Sequence, residues 1–145
     1  MIQLESLKES YLLEVPVDVL HRESMEWLGE IEFMKDEAAF FYGLIIRRLK
    51  TPYDTINAEE LKSIENHLIF FSTNMLAMLH DSIAKHEMFL SKMIESVKQD
   101  EKSYRSRHII LANKFTAFEK EFKELKRKIF SVVEREVKKK KLIKK

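Results

Sequence analysis

Apolar residues recur at three- and four-residue intervals over most of this chain. Leu61, Ile64, Leu68, Phe71, Met75, Leu79, Ile83, Leu90, Met93 and Val97 form one such series, and Tyr104, His108, Leu111, Phe115, Phe118, Phe122, Leu125, Ile129 and Val133 form another. That period puts each series on one face of a helix. The stretch EWLGEIEFMKDEAAFFYGL, residues 26–44, predicts a further helix with a broader apolar face. At ~100° per residue, Phe33, Phe40 and Leu44 fall on one side of Glu37, and Trp27, Met34, Phe41 and Ile45 on the other. Glu30 and Glu37 are therefore expected inside the apolar face.

Helix ends are marked by punctuating residues. Pro16 breaks the chain, Asp18 can cap a helix over about 18–50, Arg47, Arg48 and Lys50 suit its last turn, and Pro52 stops it. Asn57 with Glu60 reads as a capping pair for a second helix over about 58–97. A short amphipathic helix over about 4–13 carries Leu4, Leu7 and Tyr11 on one side. The segment KQDEKSYRSR holds no Gly or Pro, so one helix of about 80 residues, ~120 Å at ~1.5 Å per residue, is physically allowed there. Asp100, however, sits where the seam wants an apolar residue, which favours a turn near 98–103 and a third helix over about 103–137. The expected fold is all-α: an antiparallel bundle of three long helices with a short N-terminal helix, spanning 1–137, and a Lys-rich tail over 138–145.

Composition supports that class. Two glycines and two prolines leave almost no material for the turns of a many-stranded sheet. The absence of cysteine excludes disulfides, zinc-thiolate sites and thiol catalysis. The segment MIQLESLKESYLLEV lacks the basic start and apolar run of a signal peptide, and no stretch reaches the ~18 apolar residues of a membrane span. A cytoplasmic protein is expected. Charge is divided: residues 1–100 hold 10 Lys and Arg against 18 Asp and Glu, while residues 101–145 hold 16 against 6. A basic last helix lying along acidic ones accounts for this, as does an external anionic partner.

The candidate chemistry lies in polar residues within apolar faces. Glu23, Glu30, Glu37 and Arg48 follow one stripe of the first helix; Glu65, His67, Asn74, Asp81 and His86 lie on or beside the face of the second; His108 is a seam residue of the third. A buried carboxylate must be paired, protonated or ligated. Counting outward from the loop at 51–57 pairs Arg48 with Glu60 or Glu65, Glu23 with His86, Glu37 with His67 and Glu30 with Asn74. His21 and His80 read as surface residues.

Glu and His inside a bundle invite a di-iron reading through Glu30, Glu37, His67, Asp81 and His86. The spacing opposes it, because no His has Glu three residues before it and no i, i+4 His pair occurs. No metal or other cofactor is expected, and a hydrogen-bonding network that fixes helix register explains the same residues. No serine stands in a turn that would position a nucleophile, so no catalytic residue is assigned.

The function expected is contact with a protein partner or with a second copy, through apolar residues outside the main arcs such as Leu28, Ile46, Phe70 and Met88. The end of the chain offers another route. Lys138, Lys139, Lys140, Lys141, Lys144 and Lys145 surround Leu142 and Ile143, a composition that suits nucleic acid or anionic lipid. Deleting residues 138–145 should leave helical content and melting by circular dichroism nearly unchanged; a large loss of stability would mean that the lysines are docked on acidic helices.

Overall fold

The computed structural model describes residues 14–49, 58–92 and 98–143, with side chains described as far as residue 48 in the first stretch and from 101 to 135 in the last. Among them the chain is all-helical. α1 runs Val17–Leu49, α2 Ala58–Phe70, α3 Leu76–Lys92 and α4 Lys98–Ile143. Residues Phe71–Met75 join α2 to α3 as a π-helical turn, so the two form one helical path. The expected helix at 4–13, the Asn57 cap and the expected end of the second helix at 97 lie outside the described residues. No helix among those described is long and apolar enough to cross a membrane.

Local chemistry sets the ends. α1 begins at Val17, directly after Pro16, whose carbonyl accepts from the Val19 amide at 3.0 Å. Asp18, the expected cap, is instead the second residue of the first turn, where its charge meets the positive end of the helix dipole. Arg47 and Arg48 fill the last turn as expected, and α2 opens on Glu59 and Glu60. α4 starts at Lys98, so 98–103 is helix, not the anticipated turn. One unbroken helix through this region is nonetheless excluded. Glu87 and Tyr104 would stand ~25 Å apart along it at ~1.5 Å per residue, yet their side chains hydrogen-bond at 3.1 Å.

The chain divides into two compact units, Met1–Glu32 with Ala77–Ala117, and Phe33–Leu76 with Phe118–Lys145. In the first, Leu20, Trp27, Ile31, Leu79, Ile83, Tyr104, Leu111 and Phe115 are buried, with the Trp27 and Phe115 rings stacked at 5.7 Å. In the second, Met34, Phe41, Ile45, Leu61, Ile64, Leu68, Phe71, Phe122, Leu125, Ile129 and Val132 are buried, with Phe71 stacked on Phe122 at 5.2 Å.

Three departures from the expected apolar faces have physical causes. On α1 the buried positions are 20, 24, 27, 31, 34, 38, 41 and 45, an alternation of fours and threes. This stripe takes only the Trp27, Met34, Phe41, Ile45 side of the broad face. Phe33 and Phe40 are left 64% and 63% exposed, and Glu30 is exposed too. On the second helical path the expected Met75 gives way to Leu76, which is fully buried. The π turn inserts one residue into the period: the Leu76 amide bonds the Phe71 carbonyl, and the Thr73 hydroxyl takes the Ile69 carbonyl at 2.7 Å. On α4 the last seam position is Val132, not Val133, because the alternation calls for three after Ile129.

The corrected face of α1 is checked by two substitutions in dilute protein, read by urea denaturation. Ile31→Ala should cost ~2–4 kcal/mol through the cavity it leaves, whereas Phe33→Ala, two residues away, should stay within ~0.5 kcal/mol.

Candidate functional site

Three helices of the first unit deliver polar side chains into its interior. Glu23 and Ser24 come from α1, His86 and Glu87 from α3, and Tyr104 and His108 from α4. Ser24 occupies a seam position of α1, His108 one of α4, and both are fully buried; His86 is 3% exposed. Aromatic planes fix the rings. Trp27 stacks on His108 at 4.6 Å, and His86 lies parallel to Tyr104 at 4.1 Å with 6° between planes.

The hydrogen bonds run in one line: Glu23 Oε1 to His108 Nε2 at 2.9 Å, then His108 Nδ1 to His86 Nε2 at 3.1 Å. Glu23 can only accept, so His108 Nε2 carries a proton. A neutral His108 then offers Nδ1 as acceptor and His86 donates from Nε2. The Ser24 hydroxyl lies 3.4 Å from the same Nδ1. His86 Nδ1 is left as a buried lone pair that meets no hydrogen-bond partner among the described residues. The alternative, a proton on both nitrogens of His108, would leave a buried N–H on His86 without an acceptor, which is costlier. Burial first, then the charge that His108 takes up once it is protonated on acidification, and last Arg107, act against Glu87 and lower the His86 pKa to about 4.

A second branch runs from Tyr104, whose hydroxyl donates to Glu87 Oε1 at 3.1 Å, while His21 bonds Glu87 Oε2. Burial and the charge of Glu87 hold the Tyr104 hydroxyl far above its ordinary range, so it stays protonated and donating. Clefts lie in both units. One of about 270 Å³ in the first unit is lined by Ser82, Lys85, His86, Arg107, Ile110 and Leu111. One of about 330 Å³ in the second lies beside the π turn, between Ala38, Ala39 and Tyr42 of α1 and Leu68, Ile69, Ser72 and Thr73.

Of the ten residues picked from sequence, Glu23, His86 and His108 come together. Glu23 bonds His108 where His86 was expected. Glu37 is half-buried and takes Lys126 at 3.3 Å, His67 takes Glu121 at 3.0 Å, and Glu60 takes Arg135 at 2.7 Å. Those partners lie on α4, whereas the expected ones lay across the first loop. Glu65 is buried with Lys62 at 3.5 Å, Asp81 is exposed with Lys85 at 3.1 Å, and Asn74 is exposed beside Thr73. Arg48 is half-buried. His80 lies 3.9 Å from Glu32.

The five residues of the di-iron reading do not share a unit: Glu30, Asp81 and His86 belong to the first, Glu37 and His67 to the second. Among the described residues no group of three or more His, Cys, Asp or Glu could hold a metal ion. Helix α4 reaches Ile143, so Lys138 to Lys141 lie on helical backbone; their side chains, and Lys144 and Lys145 altogether, fall outside the described residues. Ser24, Glu87 and the hydrogen-bonding role of Tyr104 escaped the sequence reading. Ser24 had a signal, since it interrupts the alternation Leu20, Trp27, Ile31 at a core position.

No protein-family model, curated protein or solved structure matches this chain.

The neutral state of His86 has a measurable consequence. A base whose folded pKa is depressed from 6.5 to about 4 binds fewer protons folded than unfolded, so its contribution to stability is full above about pH 6.5 and is lost as pH falls toward 4. The loss amounts to about 3 kcal/mol at most. In urea denaturation at pH 7 and pH 4.5, His86→Phe should therefore lose less stability on acidification than the parent. Equal losses would mean that His86 is already charged in the folded protein.

Proposed function

We propose that this chain is a non-catalytic helical-bundle protein that acts through protein–protein contacts, its three helices closing as one antiparallel bundle. The observation that carries the reading is the pattern of exposure. Phe33, Phe40 and Phe130 of the second unit are each more than half exposed, although the same helices bury smaller apolar residues one or two positions away. The Phe40, Phe41 and Phe130 rings form a continuous series at 5.6 and 5.4 Å, so the buried Phe41 anchors two exposed neighbours. Large exposed aromatic surface mainly occurs where a partner covers it.

Methionines extend the pattern, since Met25, Met78 and Met88 are also at least half exposed, and flexible thioethers suit contacts with varied shapes. Phe70 and Met88, set outside the core by their spacing, are among the exposed side chains. The line from the half-buried Glu23 to the buried His108 and His86 serves this reading as a register device, because its bonds close only when α1, α3 and α4 meet in one alignment.

Site-specific photocrosslinking tests the reading. A benzophenone side chain in place of Phe40, Phe70 or Phe130, irradiated in the producing cell, should give discrete protein adducts, while the same probe in place of the exposed Lys114 should give none. Absence of adducts at all three aromatic positions would overturn it.

A further inference from the structure

The exposed face of α1 is nearly the same read in either direction. Gly29, Phe33, Asp36, Phe40 and Gly43 fall within an arc of ~80° at ~100° per residue, on the side of the helix away from Trp27, Ile31, Met34 and Phe41. Their order, Gly, Phe, Asp, Phe, Gly, is the same in both directions, with Phe33 and Phe40 centred between Asp36 and Glu37 and the two glycines centred half a residue earlier, on Asp36. An interface related by a two-fold axis must be self-complementary in this way, since each residue that contacts another is contacted by it in return.

The glycines add to the argument. They are the only two in the chain, and both stand inside α1, where Gly is less favourable than Ala. No glycine among the described residues has a positive φ, and a Cβ at either position would meet nothing within 4 Å. Neither backbone conformation nor internal packing requires them. An antiparallel copy of α1 supplies a reason. With the midpoint of Phe33 and Phe40 on the two-fold axis, Phe33 lies opposite Phe40 of the second copy, and its ring leans toward that copy's Gly43, because helical side chains tilt to the N-terminus. The Phe33 ring of each copy then rests against bare backbone, which lets the helices approach to the ~8–10 Å of close helix packing.

Charge follows the same symmetry. In this register Glu26 lies opposite Arg47 of the second copy, and Arg47 opposite its Glu26; both residues are exposed. Asp36 works against the contact, because it stands next to the axis and meets its own copy.

On this basis, and resting on the contact reading above, we propose that the Phe33, Phe40 face of α1 binds a second copy of this chain, antiparallel about an axis between Asp36 and Glu37. The test is sedimentation velocity of the full chain from micromolar to millimolar concentration, with circular dichroism confirming that each variant is folded. A reversible dimer is expected. Asp36→Asn should tighten it several-fold, and Gly43→Leu should weaken it at least tenfold without loss of helix. Arg47→Glu should weaken it, and adding Glu26→Arg to that variant should restore it. A chain that stays monomeric at millimolar concentration overturns the proposal, as does a dimer indifferent to Gly43→Leu or one that the charge exchange fails to restore. Crosslinked adducts to other proteins at Phe40, with a purified chain that remains monomeric, would retire the self-contact and leave the broader contact reading standing; absence of both adducts and dimer would retire the two together.

Discussion

Each helix of this protein buries one narrow stripe, and every other feature is arranged around that constraint. On α1 the stripe is Leu20, Ser24, Trp27, Ile31, Met34, Ala38, Phe41 and Ile45; on α4 it runs Tyr104, His108, Leu111, Phe115 and, after a half-buried Phe118, Phe122, Leu125, Ile129 and Val132. Burial of such side chains, at ~1.5–3 kcal/mol each, is the main favourable contribution to folding a helical chain with few other cross-links. The stripe also decides which polar groups must be satisfied inside. Ser24 and His108 occupy seam positions and Glu23 borders one, so their hydrogen bonds are a consequence of the same periodicity.

The interior polar line is consistent with specificity more than with added stability. Two imidazoles removed from water gain little over apolar residues of the same shape, and His86 retains a nitrogen with no hydrogen-bond partner among the described residues. What the line does is penalise wrong alignments. Sliding one helix by a turn would leave the buried His108 and His86 without their bonds. The stacked Trp27 and Tyr104 rings hold the imidazoles in the planes that make those bonds possible.

The π turn shows how one residue redistributes a whole face. Before it, Leu61, Ile64, Leu68 and Phe71 follow the expected intervals; after it, Leu76, Leu79, Ile83 and His86 continue a period advanced by one. The insertion brings Leu76 inward in place of Met75. It also leaves Asn74 and Asp81 exposed, although a regular helix would hold both on the margin with His67. The cleft beside the turn is lined by small residues, Ala38, Ala39, Ser72 and Thr73, where the two helical surfaces do not fill the space.

Helix class, the opening of α1 within a residue, the last turn of α1 and nearly all of the α4 seam were readable from spacing and from Pro16, because these depend on local period and local caps. His86 and His108 were legible as interior polar residues for the same reason. The partners were not. Glu37 meets Lys126, His67 meets Glu121 and Glu23 meets His108, each more than fifty residues away, and a helical period reports the direction a side chain leaves its axis without reporting which helix lies there. The choice between the two sides of α1 was also closed to the sequence, since Phe33 and Phe40 are as apolar as Trp27 and Phe41. Only the packed neighbours settle which side is covered, and they cover the one that continues the alternation of threes and fours.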